Sequence, residues 1–94
     1  MKKIEIIANL SVEDEVMSVI NESGVKGFTK MPIVHGAGNT NPKMGTSVWP
    51  EENFMLIIYA EESVVMVLRN KIINLKEHFP HEGIKCFVTN VEHL

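Results

Sequence analysis

Val65, Leu68, Ile72, Leu75 and Phe79 step 3, 4, 3 and 4 residues along the chain. That spacing puts one apolar stripe down a helix and predicts a helix packed along its length. Ser63 offers an N-cap for it, and Pro80 ends it, because proline cannot continue the backbone ladder. The segment just before it, residues 54–59, is Phe-Met-Leu-Ile-Ile-Tyr. This near-continuous apolar run is the strongest strand signal in the sequence, and it predicts a strand covered on both faces. Any fold for this chain must therefore hold a buried strand followed at once by a one-sided helix.

The rest of the chain fits around that unit. Residues 4–8 are apolar and β-branched and read as a first strand. Ser11 then offers an N-cap, with Glu13, Asp14 and Glu15 in the first turn, where carboxylates suit the helix dipole. Val12, Val16, Val19 and Ile20 share one face of this helix, and Ser23-Gly24 stops it, with Gly24 suited to a left-handed terminus. Residues 28–34 read as a second strand, at an edge or with a bulge because Pro32 cannot donate to a ladder. From Gly36 to Asn53 the apolar pattern collapses into a loop too long to be a mere connector. Residues 84–89 form the last strand, and a short tail follows. The order strand, helix, strand, strand, helix, strand predicts an α+β, ferredoxin-like βαββαβ sandwich: a four-stranded antiparallel sheet with two helices on one face. Residues 1–94 are expected to form one domain. The apolar third strand leaves the opposite sheet face to be covered by another subunit.

Charge and composition narrow the function. Nine Lys and Arg against twelve Asp and Glu give a net charge of −3, which argues against nucleic acid as a partner. A chain of this length buries only about 60–65% of its unfolded surface, so oligomerisation would help it. The single cysteine, Cys86, forms no internal disulfide, and mid-strand it reads as a small hydrophobe. No apolar run reaches the roughly 20 residues of a membrane helix, and the basic start is interrupted by Glu5, unlike a signal peptide. The expected location is cytoplasmic, without membrane insertion.

Three segments carry chemistry. Gly36-Ala37-Gly38-Asn39 follows a strand directly, and successive N–H groups there form a nest for phosphate; the alternative is two glycines opening a plain loop. It matches neither the Walker pattern nor a dinucleotide fingerprint. His78 and His81 form a His-x-x-His pair suited to Zn²⁺ or Cu²⁺, although Pro80 lies between them and a histidine at a helix C-terminus is favourable in itself. Trp49, in the long loop, is either a partner anchor or folded back on its own subunit. The six methionines read as packing. No nucleophile–base pattern is readable, and only His35 is placed to act as a base near the glycine loop, so the chain is expected not to be an enzyme.

Taken together, these segments resemble the PII-like signalling proteins, the superfamily of nitrogen regulatory protein PII. Met1-Lys2-Lys3-Ile4-Glu5 with Asp14-Glu15-Val16 is similar to that family's start. Gly24-Val25-Lys26-Gly27-Phe28-Thr29 resembles its Gly-Ile-x-Gly-x-Thr stretch. Gly36-Ala37-Gly38 resembles the Gly-x-Gly at the base of its long T-loop, and Lys85-Cys86-Phe87-Val88 its Lys-Ile-Phe-Val strand. The resemblance implies a homotrimer with a small-molecule effector, an adenine nucleotide such as ADP, ATP or AMP, in the clefts between subunits. It also implies a loop over residues 37–52 that signals to a target protein. On this resemblance Thr29, Gly36, Gly38, Asn39 and Lys85 bind ligand, and Lys43 and Trp49 belong to the partner loop. Asn39 replaces the family's Gln, no loop Tyr is present, and the family's downstream arginines have no counterpart. These departures favour ADP, AMP, a metal or bicarbonate over tightly held ATP. Thr46-Ser47-Val48-Trp49 and His78-Phe79-Pro80-His81 are also similar to parts of the CutA-like proteins. That second resemblance implies a trimeric divalent-metal binder using Zn or Cu at His78 and His81.

Overall fold

The computed structural model describes residues 1–37 and 52–94. Its elements run β1 (Lys2–Asn9), a 3₁₀ turn (Leu10–Val12), α1 (Glu13–Glu22), β2 (Thr29–Val34), β3 (Asn53–Ala60), α2 (Glu62–His78) and β4 (Ile84–Asn90). The strands form one antiparallel sheet in the order β2-β3-β1-β4. This is the ferredoxin-like α+β arrangement that the element order predicts.

Alternation along the strands sends one set of side chains under the helices. Ile4, Ile6 and Ala8 of β1 and Phe54, Leu56 and Ile58 of β3 are buried there. They meet Val16 and Ile20 of α1 and Val65, Leu68 and Ile72 of α2. Each of these side chains other than Ala8 contributes roughly 1.5–3 kcal/mol by leaving water. Lys30 of β2 also turns to this side, where its ammonium meets Glu13 of α1 at 2.7 Å and lies 6.0 Å from the Phe54 ring centroid. The ion pair ties the edge strand to the first helix.

Several local expectations hold for the reasons given. Gly24 has φ +81°, the left-handed conformation that ends α1. Pro32 lies on an edge strand, and the β2–β3 register shifts between Met31 and Val34, which removes the need for its missing N–H. Phe79 caps α2, and Pro80 follows.

Two expectations are corrected. Ser11 is not the helix N-cap. The chain first winds as a 3₁₀ turn, and Asn9 caps it, its Oδ1 accepting from the Ser11 N–H at 3.2 Å. Ser63 does not cap α2 either: Glu61 occupies that place without a side-chain cap. Ala60 is still paired with Lys2 in the sheet, so the helix starts within two residues of the strand's end and Ser63 already lies inside it. On its face away from the helices, β3 has no cover within one chain, and that face is the one for which cover by another subunit is expected. Met55 and Ile57 are half-buried on the face away from the helices, and Tyr59 is 55% exposed there.

Candidate functional site

The antiparallel pairing brings three connections to one end of the sheet. β1 and β2 end there, and β3 and β4 begin there. Backbone hydrogen bonds fix the arrangement. The Asn9 N–H donates to the Gly83 carbonyl at 3.0 Å, and the Leu10 N–H donates to the Glu52 carbonyl at 2.9 Å. Asn9, the last residue of β1, and Leu10, the first of the 3₁₀ turn, thus hold the α2–β4 turn on one side and Glu52, just before β3, on the other.

Side chains reinforce this end. A single carboxylate oxygen of Glu82 accepts from Asn9 Nδ2 at 3.1 Å and from the Ser11 hydroxyl at 2.8 Å. Glu82 therefore pins the turn that carries Gly83 and Lys85 against the start of α1. Between the end of β2 and the start of β3, His35 Nε2 and Glu52 Oε2 are 2.7 Å apart, an ion pair when the imidazole is protonated.

Gly36 lies two residues beyond β2, at this end. Lys85 is the second residue of β4, at the same end, and is exposed on the sheet face away from the helices. A Cβ built on Gly36 or on Gly83 meets nothing within 4 Å, and neither has a left-handed φ. Among the described residues, then, the fold does not require glycine at either place. Both leave bare backbone at the end of the sheet that carries Lys85, Gly83 two residues before it and Gly36 at the opposite edge; bare backbone and an ammonium are what an anion with several oxygens uses.

Thr29 is placed differently. It pairs with Ile57, two residues further along β3 than Met55, which shares a row with Ile7 and Lys85. Thr29 and Gly36 belong to the β2 edge and Lys85 to the β4 edge. Three strand spacings separate the edges, about 14 Å. Within one chain Thr29 and Lys85 do not meet. Gly38, Asn39, Lys43 and Trp49 lie outside the described residues.

The histidine pair does not build a metal centre among the described residues, where no group of three His, Cys, Asp or Glu could hold an ion. His78 Nδ1 is 3.0 Å from the Asn74 carbonyl one turn back, so it donates there and satisfies the helix end. His81 is exposed in the following turn. Sequence reasoning missed Glu82 and Asn9, which join elements 73 positions apart; no local pattern signals such a contact.

On β4, Cys86 turns to the helix side and is half-buried. Burial pushes its thiol above the ordinary value, and the positive charges of Lys76 and Arg69 oppose that only partly. No helix among the described residues is long and apolar enough to cross a membrane.

A ferredoxin-like sheet whose turn and long-loop base gather at one end, around bare glycines and a lysine, defines a small α+β protein with a candidate anion-binding end. The chain belongs to the nitrogen regulatory protein P-II family, whose model matches residues 1–94. Among solved structures it is similar to CPII from Thiomonas intermedia K12 bound to ADP and bicarbonate, at 24% identity and TM-score 0.75 over 94% of this chain and 82% of that one. The same protein bound to ADP, AMP and bicarbonate gives 23% identity and TM-score 0.76, over 94% and 82%. Its apo form gives 21% identity and TM-score 0.66, over 96% and 89%. No curated protein matches.

Proposed function

We propose that this chain is a non-enzymatic PII-like regulator that binds an adenine nucleotide, ADP or AMP, at the end of the sheet marked by Gly36, Gly83 and Lys85. The observation that carries the reading is the pair of glycines that the fold does not need, held at one end of the sheet with Lys85. Bare N–H groups and one ammonium suit phosphate oxygens. The similarity to CPII structures holding ADP and AMP supports the same ligand class.

The site is completed between subunits of a homotrimer. Two features support this. Thr29 and Lys85 lie on opposite sheet edges, so they approach one ligand only when two copies lie side by side. The sheet face away from the helices also carries Ile7, Met31, Met55, Ile57 and Phe87, and Phe87 is 53% exposed. Such a patch marks an interface. The segment over residues 37–52 then reports the bound state to a partner protein. Its returning end hangs from Leu10, next to the residue that holds Gly83, so ligand at the turn has a short mechanical route to it. The setting is cytoplasmic.

Calorimetry with ADP, AMP and ATP, with and without bicarbonate, tests the reading. Gly36→Val and Lys85→Gln are expected to keep the native circular dichroism, because neither site is packed. Each should weaken nucleotide binding by about tenfold or more. Binding of no adenine nucleotide by the unaltered protein would overturn the proposal, as would variants that bind as well as it does.

A further inference from the structure

A cavity lies between α2 and the helix-side face of β4. It is an open groove of about 420 Å³, within the range of small-molecule sites. Leu68, Ile72, Val88 and the half-buried Cys86 line it. Ile73, also in its lining, is 51% exposed, an apolar side chain that the core does not use. Arg69 and Lys76 complete the lining. They stand seven residues apart on one helix, about 10 Å along its axis. The ion pairs among the described residues engage neither of them.

An apolar trough edged by two unengaged cations calls for an occupant with an apolar body and a negative head. We infer that the α2–β4 groove binds an aliphatic carboxylate of the fatty-acid class. The chain lies over Leu68, Ile72 and Val88, and the carboxylate meets Arg69 or Lys76. Guanidinium and ammonium donors make charge-assisted hydrogen bonds to such a head, and burial of the methylenes supplies the rest of the affinity. The groove does not overlap the proposed nucleotide end. Lys85 and Cys86 are neighbours, but alternation sends them to opposite faces of β4, so the two ligands bind independently.

Cys86 gives the site a reporter. Decanoate is titrated against the full chain below its micelle concentration, and the rate of Cys86 alkylation by iodoacetamide is followed, with calorimetry in parallel. At about ten times its dissociation constant a ligand in the groove slows alkylation about tenfold. Decanol, with the same chain and no charge, should need about tenfold more for equal protection. Arg69→Gln with Lys76→Gln should bind the two alike; both residues are exposed, so the fold survives. Saturating ADP should leave the protection unchanged. Alkylation that decanoate does not slow would overturn the inference. So would decanoate affinity unchanged in the double variant, or displacement of decanoate by ADP.

Discussion

Replacing Gly24 by alanine isolates one backbone angle. At φ +81° an added Cβ crowds the following carbonyl oxygen, which costs about 1–2 kcal/mol. Nothing else lies within 4 Å of that Cβ, so no lost or gained packing obscures the result. In a chain of 94 residues each kcal/mol moves the melting temperature by roughly 4–8 °C. Gly24→Ala should therefore melt about 4–16 °C lower, at matched protomer concentration, with the urea m-value unchanged. Gly27→Ala is the control. It too has open space at Cβ but no left-handed φ. There the lost unfolded-state freedom should leave stability level or raise it by up to about 1 kcal/mol. Gly24→Asn should recover part of the loss, since asparagine tolerates this conformation. Equal melting temperatures for Gly24→Ala and Gly27→Ala would refute the argument that this helix end depends on a left-handed residue.

Three further outcomes are expected. Glu82→Ala removes the acceptor shared by Asn9 and Ser11 and should cost about 1–2 kcal/mol in urea denaturation. Because burial holds the Cys86 thiol above 9.0 in the folded chain, the unfolded chain loses that proton first. Stability should then fall as pH rises through 9.0, and Cys86→Ala should flatten this part of the stability–pH curve. On the open sheet face, Ile57→Lys should shift the proposed trimer to monomers in analytical ultracentrifugation; an unchanged sedimentation coefficient would mean that this face is not the interface.

The sequence displays what repeats and hides what depends on distance. The α2 stripe was legible because burial imposes a period on five residues at once. Gly24 and Pro32 were legible because each carries a backbone restriction of its own. The caps were not. Ser11 has the right chemistry for a cap, but Asn9 takes the role while the Ser11 hydroxyl turns to Glu82, 71 positions away. Ser63 failed for a similar reason, since the pairing of Ala60 with Lys2 sets where the strand stops. Of the candidate site, the glycines from Gly36 pointed to an anion and the family resemblance added Lys85, and the topology places Gly36 and Lys85 at one end. What no local pattern could give was their position on opposite edges, or the role of Glu82 in setting the turn beside Lys85.

The central place of β1 bears on how the protein is made. Its neighbours are β3 and β4, so Lys2 pairs with both Ala60 and Asn90. The ribosome synthesises this strand first, yet its second partner comes last. Until β4 has emerged, one edge of β1 has no strand to pair with, and Ile4 and Ile6 lack part of their final cover. The nascent chain thus carries an open edge of β1 until β4 emerges, the state in which chaperones find their clients. A sheet closed by its last strand folds late, and its folding rate should be set by that long-range closure more than by either helix.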